Sequence, residues 1–183
     1  MNDYGTSLEE HRIMIQRNDP YAYEKELETE EGLQGLRKNL CKHLHDEYEV
    51  TPQRDKELLN EYILKIFELQ NRKPYFYIDS NDFLPVCWNR KNNNSWALDY
   101  IKYEWGHIES VKAHPEKKSN LDNLCLVSGR CNDELQSGLD AQDLCVYGGK
   151  LECRIKTMKK NFNDFFNSPE GKQLISKFKE RKK

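Results

Sequence analysis

Three side chains in the second half of the chain, His107, Asn123 and Asn132, could together support metal-assisted hydrolysis. A neutral imidazole with a pKa near neutrality can take a proton from water and so make a hydroxide nucleophile. Amide and carboxylate oxygens are hard ligands that hold Mg²⁺ or Mn²⁺ while leaving positions open for water and phosphate oxygens. In this interpretation His107 is the general base, and the side-chain oxygen of Asn132 is a metal ligand.

The residues around this set predict the order strand, polar loop, strand, helix. The aromatic stretch 96–108 predicts the strand that carries His107, and residues 109–122 are polar. Leu124–Val127 is a short apolar run that predicts a second strand, with a turn at Ser128–Gly129 and a helix opened by Asn132. The chemistry would then be positioned by a strand pair and a helix.

At this point residues 103–139 resemble the HNH endonuclease family. The resemblance is carried by Gly-His at 106–107, Asn-Leu at 123–124 and Cys-Asn at 131–132, and the two asparagines keep the nine-residue spacing of the family motif. It implies an α+β fold with a ββα-metal core. It also implies that Asn123 is chiefly structural, with an amide that ties the loop to the strand and so positions the histidine.

The sequence departs from the family pattern at the metal ligand and at the zinc-binding cysteines. Many members have Asp before the catalytic His, whereas this chain has Gly106. Side chains alternate along a strand, so Glu104 shares the face of position 106 and is our predicted replacement ligand, while Glu109 shares the face of His107. Of each CxxC pair that braces many relatives, only Cys87 and Cys131 remain, so we expect a Mg²⁺ or Mn²⁺ cofactor and no structural zinc.

Several cations lie in turns around the motif, where family members contact the DNA backbone. They are Arg90, Lys91, Lys117, Lys118 and Arg130, and we predict that they bind phosphate groups. Charge along the chain is uneven, because residues 1–50 carry 12 acidic and 6 basic side chains whereas residues 150–183 carry 4 acidic and 11 basic ones. The basic end would face phosphate, or else the two oppositely charged ends attract each other or are simply solvated faces.

Changes in residue composition along the chain predict three regions. Residues 1–73 form a helical N-terminal region, residues 74–145 the HNH nuclease core, and residues 146–183 a basic tail with a helix. In the first region the patterns predict one or two helices over 20–49, interrupted near Gly32 and Gly35, and then an amphipathic helix from Thr51-Pro52 to Lys73-Pro74, whose buried face is Leu58, Leu59, Tyr62, Ile63, Ile66 and Phe67. In the second they predict strands at 75–78, 83–88 and 96–108, with a loop at 90–95. In the third they predict a helix capped by Ser168-Pro169-Glu170.

Composition sets the expected location and partners. The chain has no run of eighteen apolar residues and no secretory signal pattern, so we expect an intracellular protein, cytoplasmic or nuclear, that is neither secreted nor in a membrane. Six irregularly spaced cysteines do not predict disulfides. The expected partner is DNA. A single ββα unit nicks one strand, and a homodimer would cut both.

These patterns lead to one preferred function and two alternatives. The preferred function is a metal-dependent DNA endonuclease that hydrolyses phosphodiester bonds with His107 as general base. An alternative is a catalytically inactive module with the HNH fold that binds nucleic acid or protein, as Gly106 suggests. The other is a helical adaptor in which the match to the HNH motif is accidental. His11, His43 and His45 lie outside the motif and are assigned no role.

Overall fold

Over the residues that the structure describes, the chain folds into an α+β structure, mostly helical, with two small antiparallel sheets. The computed structural model describes residue 27 and residues 30–76, 87–91, 95–99, 103–128 and 138–182, with the backbone alone at 31, 87–91, 95–99, 128 and 147. Its helices are α1 (Glu30–Tyr48), α2 (Lys56–Leu69), α3 (Ala141–Leu144), α4 (Gly149–Asn167) and α5 (Pro169–Lys179). Its strands are β1 (Cys87–Lys91), β2 (Ser95–Asp99), β3 (Tyr103–His107) and β4 (Leu124–Ser128).

Helix α1 is continuous, so the predicted interruption near Gly32 and Gly35 is wrong. Leu36, Leu40 and Leu44 recur every four residues and are almost completely buried on one face of the helix. Burying such a stripe outweighs the cost of a helical glycine, which is about 1 kcal/mol relative to alanine. The glycines therefore do not interrupt α1.

The amphipathic helix α2 buries all six residues predicted for its apolar face, but it is shorter at both ends than predicted. Residues 52–55 form a turn, in which the Asp55 carboxylate accepts a hydrogen bond of 2.9 Å from Thr51 N, and the helix begins after Asp55 rather than at Pro52. It ends at Leu69 because Asn71 and Arg72 adopt left-handed backbone conformations, with φ of 54° and 57°.

The strands form two hairpins, β1 with β2 and β3 with β4. The β4 prediction is confirmed, whereas the aromatic stretch 96–108 is divided between β2 and β3. The predicted strand at 75–78 is wrong over its described part, since Tyr75 and Phe76 are buried in a turn. The predicted loop at 90–95 is also wrong at its ends: Arg90 and Lys91 belong to β1 and Ser95 to β2, with 92–94 outside the described residues.

The outer edge of β4 is covered by a buried side chain of α2's C-terminal cap. Gln70 donates from Nε2 to Leu126 O (2.8 Å) and accepts from Leu126 N at Oε1 (2.8 Å), as a neighbouring strand would. Arg154 of α4 donates to the carbonyls of Gln70 (2.6 Å) and Pro74 (2.9 Å). The described segment after α2, residues 70–76, is thereby joined both to the sheet and to the C-terminal region.

The C-terminal region is a pair of helices, of which the sequence predictions included only the second. Ser168 caps α5 as predicted, with Oγ accepting from Gly171 N at 3.1 Å. The preceding helix α4 buries six side chains, Leu151, Ile155, Met158, Phe162, Phe165 and Phe166. Among the helices that the structure describes, none combines the length and apolar composition needed to cross a bilayer.

Replacing Gly171 by alanine is expected to lower the free energy of unfolding by about 1–3 kcal/mol, the usual cost of overpacking. A Cβ at this position would lie 2.2 Å from Phe165 O and 2.8 Å from Phe166 Cα, so α4 and α5 would have to move apart. Urea unfolding followed by circular dichroism measures the effect. Gly35→Ala is the matched control, because a Cβ there meets nothing within 4 Å and helix propensity should raise stability by about 0.5–1 kcal/mol. Equal effects of the two changes would contradict this account.

Candidate functional site

The site lies where β3 runs into the loop of residues 108–123. The register of the hairpin places His107, the last residue of β3, opposite Leu124, the first residue of β4. The loop then closes on itself, since Ile108 N donates to Asn123 O at 2.8 Å. His107 and Asn123 are therefore brought together at one end of the sheet, although sixteen positions separate them in the sequence.

The buried side chain of Asn123 joins the two ends of this loop. Its Oδ1 accepts from Glu109 N (2.7 Å), and its Nδ2 donates to Glu109 O (3.0 Å) and Lys117 O (3.3 Å). Both the oxygen and the nitrogen of the amide therefore form hydrogen bonds to the backbone. Removing the amide would leave these backbone groups without their partners. Asn123 thus helps to fix the position of the loop relative to the end of β3.

His107 is 9 % exposed and points toward α1 rather than toward the opposite face of the sheet. Its Nε2 lies 3.1 Å from Lys118 O. A carbonyl can only accept, so Nε2 carries the hydrogen and the lone pair of the neutral ring is at Nδ1. Burial is the main cause of a lowered pKa of His107; the bond to the Lys118 carbonyl raises the pKa, and the charge of Lys118 lowers it. The ring is therefore neutral at neutral pH.

Sequence analysis missed a second histidine in contact with the first. His43 of α1 lies with its ring 5.1 Å from that of His107, centroid to centroid, at an interplanar angle of 69°. The loop is fixed to the same turn of α1, because Ser119 Oγ donates to His43 O at 2.7 Å. Burial, followed by the charges of His107, Lys118 and Lys42, lowers the pKa of His43 to about 4. Nothing in the sequence connects this helix residue with a strand residue 64 positions later.

Two carboxylates flank the end of β3, and both have partners. Glu109 forms an ion pair with Lys117, which lowers the pKa of Glu109. Asp140 accepts from Ser110 N at 2.5 Å and lies 3.3 Å from Nε2 of His114. The helix that follows is joined to the same place, since Ala141 N donates to Ile108 O at 2.8 Å. The end of β3, the loop and the start of α3 thus form one connected unit.

The structure does not bring the other predicted metal ligand close to His107. Glu104 lies three residues earlier on β3, opposite Val127, and on the other face of the strand. At about 3.3 Å per residue its Cα is about 10 Å along the strand from that of His107. Gly106 shares the face of Glu104 and pairs with Cys125. The assignment of Glu104 as a ligand stays a prediction to which this register adds no support.

The predicted phosphate-binding cations are divided between described and undescribed parts of the chain. Lys117 is paired with Glu109, and Lys118, which is exposed, lies 3.7 Å from Asp46. Arg90 and Lys91 are placed in β1 by their backbone. Two predicted residues, Arg130 and Asn132, lie outside the described residues, as do the turn at 129 and the start of the predicted helix. Residues 138–140, at the end of that helix, are not helical.

A divalent ion needs several oxygen ligands around one point. Within the described ranges, no group of three or more histidine, cysteine or carboxylate side chains is placed to hold a metal. Near His107, Glu109 and Asp140 supply hard oxygens, but these already bind Lys117 and Ser110. The Mg²⁺ or Mn²⁺ cofactor stays a prediction, and its predicted ligand Asn132 lies outside the described residues.

No protein-family model, curated protein or solved structure matches this chain. Membership of the HNH family is therefore a hypothesis that rests on the residues of the motif.

Proposed function

We propose that this chain is a metal-dependent DNA endonuclease with an HNH-like ββα core, in which His107 is the general base. The observation that carries the proposal is the bond from His107 Nε2 to Lys118 O, in a loop fixed by Asn123. This bond selects the tautomer with a basic Nδ1, and burial keeps the ring neutral, which are the two properties that a base needs.

In the proposed reaction, His107 takes a proton from a water molecule at Nδ1. The resulting hydroxide oxygen bonds to phosphorus as the bond from phosphorus to the leaving sugar oxygen breaks, and that oxygen takes a proton from solvent. A Mg²⁺ or Mn²⁺ ion, when bound, would stabilise the negative charge on the phosphate. The chain's own contribution is to orient the base through Lys118 O and to hold the loop through Asn123.

A second candidate is a binding module of the same shape without catalytic activity. Gly106 in place of the aspartate and the ion pair that occupies Glu109 favour it. The burial of His107 and its bond to the Lys118 carbonyl are also what a purely structural histidine would show. The two candidates differ in whether any phosphodiester bond is broken.

Incubation with supercoiled plasmid in Mg²⁺, Mn²⁺ or EDTA tests the proposal, with His107→Ala as the contrast. We expect nicked product from wild type in Mg²⁺ or Mn²⁺, linear product as well if the protein acts as a homodimer, and intact plasmid in EDTA or with the variant. Intact plasmid in every lane, from a folded protein that still retards DNA in a gel, would exclude the endonuclease activity and favour the inactive binding module.

A further inference from the structure

The basic C-terminal region divides into two helices whose charges have different surroundings. On α5 and just beyond it, cations meet acidic side chains of the N-terminal helical region. Lys177 Nζ lies 2.7 Å from Glu61, Arg181 Nε lies 3.4 Å from Asp55, and Lys182 Nζ lies 3.7 Å from Glu47. Of these three pairs, that of Lys182 with Glu47 joins the basic end to the acidic first fifty residues, and the explanations of the uneven charge stay open.

Three lysines of α4, Lys156, Lys159 and Lys160, have different surroundings. Lys156 pairs with Glu152 of its own helix at 2.6 Å, and Lys159 Nζ donates to the neutral amide of Gln142 at 3.3 Å. Lys160 is exposed. In the part of the chain that the structure describes, no carboxylate of another element forms an ion pair with Lys156, Lys159 or Lys160. These three, the α4 lysines, lie on one side of the helix together with Glu152 and Asp164, so that side carries three cations and two carboxylates.

The α4 lysines adjoin the candidate site. Gln142, the partner of Lys159, lies in α3, which is joined to the end of β3 by the bond from Ala141 N to Ile108 O. The charge of Lys159 also contributes to the lowered pKa of Glu109, two residues beyond His107. Helix α4 further contacts residues 121–123, which include Asn123.

The chemistry of this surface favours a polyphosphate backbone over a lipid bilayer. An interfacial helix binds membranes by inserting an apolar face below its cations. The apolar face of α4 is instead buried in the protein, with Ile155, Met158 and Phe162 at 0–2 % exposure. Lysines without such a face act as point charges for phosphate, as they do along nucleic acids.

We propose that Lys156, Lys159 and Lys160 of α4 bind the phosphate backbone of DNA and guide it toward the site at His107. This rests on the proposed function for the identity of the polyanion. The lysines read no sequence, because a phosphate contact is the same beside every base. They would therefore add affinity and salt dependence without altering any preference for particular bases.

Fluorescence anisotropy with a 20-base-pair DNA duplex in EDTA, over a series of KCl concentrations, tests the surface. The variant is Lys159→Gln/Lys160→Gln, and its matched control is Lys172→Gln/Lys179→Gln, which removes two exposed lysines of α5 and the same net charge. Each lost phosphate contact should reduce the slope of log K against log salt by about 0.9. We expect a slope reduced by about 1–2 and affinity at 0.1 M salt weakened about tenfold or more for the α4 variant, and near wild-type values for the control.

Equal losses in both variants, or no binding of the duplex by wild type, would overturn the proposal. So would binding to anionic phosphatidylserine vesicles that is lost in the α4 variant while duplex binding is not. Because EDTA prevents cleavage, the result is separate from the nuclease assay. Salt-dependent binding through α4 without cleavage would overturn only the endonuclease, and cleavage with unchanged slopes would overturn only this surface.

Discussion

Replacing His107 by alanine is expected to reduce the single-turnover rate of DNA cleavage by about 10²–10⁴-fold, the usual contribution of a general base. The variant retains the hydrogen bonds of Asn123 that hold the loop, but it lacks the imidazole nitrogen Nδ1 that takes the proton from water. The rate is measured with enzyme in excess over a labelled duplex in Mg²⁺. Affinity for the duplex in EDTA should change much less than the rate, because His107 is buried and contributes no charge at neutral pH.

His114→Ala is the matched control for His107. His114 lies in the same loop but is more exposed and interacts with Asp140 and Glu116 rather than with the backbone near His107. Its removal should change the rate by less than a few-fold. Because His107 is buried, His107→Gln is measured beside the alanine variant, and thermal unfolding establishes that each variant is folded. A folded His107 variant that cleaves at the wild-type rate would exclude this residue as the base.

The local part of the site follows from the sequence, and the long-range part does not. The bonds of Asn123 to Glu109 and Lys117 span at most fourteen positions, within one loop between two short strands. A strand pair with a polar loop is visible as a local pattern, so the pairing of β3 with β4 could be predicted. How the His107 ring is held depends also on α1, and no periodicity within α1 indicates which strand it will cover.

The same distinction holds for the rest of the fold. The buried face of α2 is a local periodicity and was predictable, whereas Gln70 serves as a neighbouring strand to β4 only because of tertiary packing. Helix α4 could have been predicted from the sequence, because Leu151, Ile155 and Met158 recur at helical spacing. The prediction of a single helix after Ser168 omitted it. The charge imbalance of the C-terminal region was visible, but its division between α4 and α5 depends on which acids lie opposite each helix.

Burial of His43, together with the nearby charge of His107, is expected to make the protein sensitive to mild acid. The pKa of His43 is about 4 in the folded protein, below its ordinary value of 6.5. Between these values the unfolded chain binds a proton that the folded chain does not, so protonation favours unfolding. The stabilisation is complete above about pH 6.5 and is lost as the pH falls toward about 4. The lowered pKa of His107 acts in the same direction.

Replacing His43 by glutamine should remove much of this pH dependence. Between pH 7 and pH 5 the wild type should lose on the order of 1–2 kcal/mol more free energy of unfolding than the variant. Urea unfolding at a series of pH values measures the difference, and the titration of carboxylates cancels because both proteins share them. His45→Gln, an exposed position two residues along α1, should keep the wild-type pH dependence. Parallel curves for wild type and His43→Gln would mean that burial of His43 does not suppress its protonation in the folded protein, and would contradict the lowered pKa of this histidine.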